Sequence, residues 1–296
     1  MDSHLPVNNL TIIGLGLMGG SLSMAVKNKR IARTITGFSR SAATRNKAIE
    51  QGVVDKICDT PECAVSKADM VVLCTPVGAI SELVKRCISN FAVNSVVTDI
   101  GSTKAEIVSE VDPMFHDSPS MYVGSHPITG SEREGLEAAC PDLYENSIVI
   151  VTPTEHTNQL ALKQVQTFWQ GLNAVVLTAS PEEHDLMAAR ASHLPHLVAA
   201  MLSSSVGRDR IDQVRNFCGP GFFDATRIAD SAPDLWHDII KSNRKAVVHE
   251  LKDFEEQVRQ VTDMVRTGDF TGLRQFLDNS RNRRRKLQNK RELKTK

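Results

Sequence analysis

The stretch "IIGLGLMGGS", residues 12–21, constrains this chain more than any other. It carries Gly14, Gly16 and Gly19 in the spacing G-x-G-x-x-G, directly after an apolar run and at the start of a helical pattern. Each glycine then has a physical task. Gly14 permits a tight turn, Gly16 lets a pyrophosphate approach the backbone, and Gly19 allows close contact between helix and strand, while the helix N-terminus receives negative charge. The spacing alone also serves purely structural turns, so the argument rests on the strand–turn–helix context.

That context repeats. "NLTIIGLG", "TITGFSR", "ADMVVLCTP", "NSVVTDIGS", "NSIVIVTPT" and "NAVVLTAS" read as short apolar strands, with helical patterns between them. Continuous apolar strands separated by helices predict a parallel sheet covered on both faces. After "SPEEHD" the strand signals stop, and 182–206, about 232–266 and about 269–280 read as helices, interrupted by "CGPGFFD". The predicted fold class is therefore α/β: an N-terminal Rossmann-type dinucleotide-binding domain over 1–179, followed by an all-helical domain over 180–280. Long helical stretches in so small a domain need apolar partners, which predicts a homodimer.

Composition excludes several classes. The formal net charge is zero, but 281–296 holds nine Lys or Arg against Glu292, leaving the remaining residues net acidic. A globally basic nucleic-acid binder is excluded, and the tail reads as a frayed, flexible terminus. The six cysteines form no CxxC pair and suggest neither a disulfide framework nor a zinc knuckle; Cys74, inside "MVVLCTP", reads as a small core residue. Neither a signal core nor a run of membrane-spanning length occurs, so the expected location is the cytoplasm.

At the cofactor end the expected contacts are Gly14, Gly16, Leu17, Met18 and Gly19, with Thr75 and Pro76 after the strand "VVLC". The second strand ends in "GFSRS", where an NAD site usually shows a carboxylate for the ribose 2′-hydroxyl. Ser39, Arg40 and Ser41 stand there instead, and no Asp or Glu occurs over 37–44. Arginine and hydroxyls bind a 2′-phosphate that a carboxylate would repel, which predicts NADP over NAD. The plainer alternative has Arg40 stacked on adenine or simply exposed.

At the substrate end, "TDIGSTK" places Ser102 near the mouth of the sheet, and "VGSHPITGSE" places His126 in a second loop expected on the same side. A neutral histidine can take a hydroxyl proton as hydride leaves, with a serine orienting it; a loop-capping histidine fits the residues equally well. In "ASHLPHLVAA" the residues Ser192 and His196 share a helix face, and Pro195 interrupts the helical reading. "CGPGFFDATR" brings Arg227, a fixed donor pair for a carboxylate, out of a glycine-containing turn. His193 and His196 offer only two of the ligands that zinc requires, so no metal site is expected.

Together "GLGLMGGS", "VVLCTP", "DIGSTK", "GSHPITGSE", "SHLPH" and "GFFDATRIA", in this order over roughly 10–280, make the chain resemble the prephenate/arogenate dehydrogenase family of tyrosine biosynthesis. The resemblance implies a nucleotide-binding domain, a helical dimerisation domain and oxidative decarboxylation of a cyclohexadienol bearing a ring carboxylate. It implies His126 as the catalytic histidine and Ser102 as its assistant. By the same resemblance Ser131 and Glu132 contribute to the active site, and Ser192, His196, Asp224 and Arg227 line the helical side. Two departures stand out: "CGPGF" replaces a glycine-only turn, and the acidic cofactor selector is missing. Prephenate is the expected substrate and arogenate the alternative. A β-hydroxyacid dehydrogenase would need a lysine that 182–206 lacks, and a cofactor-sensing scaffold would not need the histidine, serine and arginine set.

Overall fold

The computed structural model describes residues 7–131 and 133–292. Within them, eight strands form one sheet: β1 (Val7–Ile13), β2 (Ala32–Phe38), β3 (Lys56–Ile57), β4 (Met70–Leu73), β5 (Val96–Asp99), β6 (Met121–Ile128), β7 (Ile148–Thr152) and β8 (Val175–Thr178). Their order across the sheet is β3-β2-β1-β4-β5-β6-β7-β8. The connections run outward from β1 in one direction and from β4 in the other. The β1/β4 crevice is therefore the topological switch point, where ligands of open α/β sheets collect.

The apolar strands behave as fully buried ones do. Every residue of β4 and β5 is buried. Their period of two sends Val72 to the core on one face, with Leu10, Ile12 and Trp169, and Val71 and Leu73 to the other, with Ile13, Val97 and Tyr122. Helices α1 (Leu17–Lys29), α2 (Ala42–Glu50), α3 (Pro61–Val65), α4 (Val77–Cys87), α5 (Ala105–Val111) and α6 (Gln159–Gly171) connect the strands. Side chains of Ser41, Thr60 and Asn158 accept from the first-turn amides of α2, α3 and α6. The N-termini of α1 and α4 carry no such side-chain cap, and both begin at the switch point.

Two expectations about the sheet need correction. It is not wholly parallel, because β6 and β7 run antiparallel with His126 opposite Ile150. His126 accordingly lies within a strand and not in a loop. "MYVGSHPI" hides its strand character because glycine and proline interrupt the apolar pattern, but pairing on both sides supplies what local propensity lacks.

The later part of the chain is helical: α7 (Pro181–Ala188), α8 (Leu194–Gly207), α9 (Ile211–Val214), α10 (Pro220–Thr226), α11 (Pro233–Ser242), α12 (Arg244–Thr267) and α13 (Phe270–Glu292). The continuous helix expected over 182–206 is instead divided by a π turn at Ala189–His193, ahead of Pro195 in the first turn of α8. Widening the turn accommodates a proline that can neither donate nor fit closely behind residue 191. The helix expected over 232–266 breaks at Asn243, whose side chain bonds elsewhere, and Arg227 follows a short helix in place of an open turn. The tail expected to fray continues α13 as far as Glu292.

By compactness the chain divides after Arg244, so the first unit includes α7 to α11 as well as the sheet. Among the described residues no helix is long and apolar enough to cross a membrane.

Candidate active site

The glycine turn after β1 has the geometry a dinucleotide needs. Gly14 holds φ at +101°, and a Cβ there would lie 2.3 Å from the Cys74 carbonyl oxygen; a Cβ on Gly19 would lie 1.8 Å from the Gly14 oxygen. Around Gly16, by contrast, a Cβ would meet nothing within 4 Å, leaving space directly over the uncapped amides of α1. Across the crevice Thr75 Oγ1 is buried without a hydrogen-bond partner. An orphaned hydroxyl and uncapped helix amides brought together at the switch point fit an anionic, hydrogen-bonding group. Leu17 and Met18 form the first turn of α1, with the Met18 carbonyl accepting from Tyr144 Oη at 2.9 Å, and Pro76 opens α4.

Beyond β2, Arg40 is exposed and Ser39 half-buried. Ser41 is partly committed, since its hydroxyl accepts from the Thr44 amide at 3.2 Å. Arg45 clamps this loop from behind, donating to the carbonyls of Ser39 at 2.7 Å and Arg40 at 3.1 Å.

The Ser102 loop, between β5 and α5, is held at both ends. Asp99 and Lys104 form an ion pair with no exposed surface, and Asp99 also accepts from Tyr122 Oη at 2.7 Å and from the Gly101 amide at 2.7 Å. Asp185, on α7, accepts from the amides of Lys104 at 2.7 Å and Ala105 at 3.0 Å. A loop fixed by this many hydrogen bonds holds Ser102 without adjustment.

From Asp185 the network continues to His126. Its Oδ1 lies 2.8 Å from His184 Nδ1, and His184 Nε2 lies 2.7 Å from His126 Nδ1. A carboxylate can only accept, so a neutral His184 carries its proton on Nδ1 and accepts on Nε2. His126 then donates from Nδ1, and its Nε2 is left as the acceptor. Burial, with His184, Lys104 and His193 adding, holds the His126 pKa well below the usual histidine value, so the ring is neutral at pH 7.

On the helical side the π turn determines which histidine does what. His193 is buried and its Nδ1 accepts from Asn243 Nδ2 at 3.2 Å; the same amide donates to the Asp185 carbonyl at 2.7 Å. His193 thus packs and bonds within the protein, and burial pulls its pKa down to about 4. His196 stacks face to face on Trp236, with ring centroids 3.5 Å apart, and its Nδ1 is buried without a partner. Asp224 and Arg227 are exposed on and just after α10, whose following turn packs on α8. Ser192 is exposed within the π turn, and the exposed Ser131 accepts locally from the Arg133 amide at 3.1 Å. Glu132 lies outside the described residues. Among the described residues no three His, Cys, Asp or Glu side chains converge as a metal site would require.

Sequence reading misses His184, Asp185, Asn243 and Trp236. One signal is present: Ser180-Pro181 is a helix start, and it places "HD" where the first turn of α7 passes into the second.

Comparison with known proteins identifies the family. The profile of "Prephenate dehydrogenase, nucleotide-binding domain" matches residues 22–178, and that of "Prephenate dehydrogenase, dimerization domain" matches 180–279. The prephenate dehydrogenase of Bacillus subtilis is 35% identical over 265 residues, covering 88% of this chain and 70% of its own. Among solved structures, prephenate dehydrogenase from A. aeolicus in complex with hydroxyphenyl propionate and NAD+ superposes with a TM-score of 0.88 at 30% identity, covering 95% of this chain and 98% of that one. Synechocystis arogenate dehydrogenase superposes at 0.81 with 26% identity, covering 94% and 99%. With two domain profiles end to end and this level of identity, the chain belongs to the prephenate/arogenate dehydrogenase family.

Proposed function

We propose that this protein is a prephenate dehydrogenase, oxidising and decarboxylating prephenate to 4-hydroxyphenylpyruvate and CO2, with NADP as the preferred acceptor. The observation that carries the reading is the Asp185–His184–His126 chain, which leaves Nε2 of one neutral histidine as a proton acceptor. Gly14, Gly16, Leu17, Met18, Gly19, Thr75 and Pro76 would hold the dinucleotide, with Ser39, Arg40 and Ser41 at its 2′-phosphate. Bound there, the nicotinamide would supply the acceptor for the hydride that leaves the substrate's C4.

His126 Nε2 takes the C4 hydroxyl proton, and Ser102 orients that hydroxyl. As C4 becomes a carbonyl, electrons from the bond to the C1 carboxylate complete the aromatic ring and CO2 departs, leaving a phenolate to which His126 returns the proton. His126 becomes an imidazolium whose Nδ1–H is still accepted by His184, so the relay stabilises the charge without a second proton transfer. Arg227 and His196 bind the substrate carboxylates, with Ser131, Glu132, Ser192 and Asp224 completing the pocket. Aromatisation supplies the driving force. In this reading 1–179 serves the cofactor and 180–280 the substrate and the dimer.

The deciding experiment is a matched assay at 340 nm with prephenate and arogenate, each with NADP and NAD. Higher kcat/KM for prephenate supports the reading. A tenfold preference for arogenate, about 1.4 kcal/mol of differential transition-state binding, overturns it. With its proton on the unpartnered Nδ1, buried His196 would donate to the carbonyl or carboxylate of the prephenate side chain.

Arg40→Asp is expected to weaken NADP use by roughly tenfold or more, the scale of one charge-assisted contact, with a smaller effect on NAD. Equal losses with both cofactors would remove Arg40 from the 2′-phosphate site.

A homodimer is part of the same proposal. Leu251, Phe254, Val258, Val261 and Val265 recur at alternating three- and four-residue intervals along α12, and Val258 and Val265 are 50% and 54% exposed. Such a stripe suits pairing with another helix. Sedimentation at micromolar concentration should give twice the chain mass, and a species of single-chain mass alone would reject the dimer.

A further inference from the structure

Two cysteines outside the proposed active site lie side by side. Cys58 follows β3 and Cys63 is the third residue of α3, and their Sγ atoms are 2.8 Å apart, although both are free thiols. That separation is well inside the contact distance of two unbonded sulfurs and short of the ~2.05 Å of a disulfide. The five-residue spacing conceals the pair in the sequence. It arises because the chain doubles back between β3 and α3, where Thr60 accepts from the Cys63 amide at 3.2 Å.

The pair is asymmetric and anchored. Cys63 is exposed and Cys58 only partly so. Burial, then the hydrogen bond to Cys63, pushes the Cys58 thiol up to about 12, so Cys63 meets a solution reagent first. On one side the Cys58 amide donates to the Gly37 carbonyl at 3.2 Å, and on the other Thr11 Oγ1 ties α3 to β1 through the Ala64 carbonyl at 2.7 Å. Between the two cysteines, Asp59 reaches Arg45 at 3.4 Å, the residue that clamps the Ser39 and Arg40 carbonyls.

We propose that Cys58 and Cys63 form a reversible thiol–disulfide modification site, closed by low-molecular-weight disulfides, and that closure loosens the loop at the adenosine end of the dinucleotide crevice. The Cys63 thiolate attacks one sulfur of the small disulfide, expelling one thiolate and forming a mixed disulfide. Cys58 then attacks Cys63 Sγ and expels the second. Two protein thiols are oxidised to one disulfide, the reagent is reduced to two thiols, and the two protein protons end on them. Drawing the sulfurs into a bond shifts the Asp59–Glu62 segment and with it the Asp59–Arg45 contact. This coupling rests on the dinucleotide site proposed above; the modification itself does not.

Trypsin leaves both cysteines in one peptide, "ICDTPECAVSK", residues 57–67. After full-length reduced protein is treated with oxidised glutathione, that peptide should lose two hydrogens and resist alkylation, and dithiothreitol should reverse both changes. Cys58→Ser should instead trap one glutathione on Cys63. An unmodified peptide, or a stable glutathione adduct on wild-type Cys63 without the bridge, would overturn the proposal. The bridged protein should bind NADP roughly threefold to tenfold more weakly than the reduced one, the scale of one charged hydrogen bond, while Cys63→Ser should show no redox response. Unchanged affinity in the bridged protein overturns the coupling. Failure of the reduced protein to bind any dinucleotide counts against the cofactor reading and the coupling together, and leaves the bridged peptide as the measure of the site.

Discussion

Asparagine at position 126 is expected to lower kcat by about 10²–10⁴-fold, the range for loss of a general base, while NADP binding and the circular dichroism spectrum stay unchanged. The amide can still donate to His184 Nε2, the bond that His126 Nδ1 makes at 2.7 Å. It has no basic nitrogen to take the substrate proton. The pH profile adds a second readout. Protonation inactivates the base, and the His126 pKa lies well below 6.5 because the ring is buried beside His184 and Lys104. Wild-type kcat/KM should therefore be level through neutrality and fall only at distinctly acid pH, and His126→Asn should lose that acid limb. Near-native turnover at saturating prephenate would remove His126 from the mechanism.

Asp185→Asn is expected to lower kcat without touching the substrate. Asp185 Oδ1 accepts from both His184 Nδ1 and the Lys104 amide, and Oδ2 from the Ala105 amide, so an asparagine keeps most of these bonds with its oxygen in the Oδ1 place. The relay then keeps its direction, but the carboxylate charge that would stabilise the His126 imidazolium is gone. The expected loss is roughly 10–10²-fold in kcat, the scale of one charged hydrogen bond. Nitrogen-15 shifts of the His126 ring should show the tautomer unchanged. Turnover within threefold of wild type would reduce Asp185 to a support for the Ser102 loop.

Much of the fold and of the site is legible in the residues alone. The glycine turn, most of the strands and the switch to helices after residue 180 all follow from local pattern. His126 stands out as a candidate base, but its strand setting is hidden, since "GSHPIT" is full of residues that leave strands. Pairing with β7 overrides that local preference. The "SHLPH" problem divides in the same way. Proline at 195 announces a disturbed helix, but only the π turn and the positions of Asn243 and Trp236 show that His193 bonds within the protein while His196 keeps an open nitrogen.

The sequence by itself determined the elements and the chemistry available to them, because period, capping and glycine spacing act over a few residues. The tertiary structure decided which groups meet. His126 and His184 are 58 residues apart and Lys104 and Asp185 are 81 apart, and each pair is joined by bonds of 2.7 Å. The direction of the relay follows from a carboxylate that can only accept. That constraint is felt at His126 through contacts between β6, α7 and the β5–α5 loop, which no local pattern encodes.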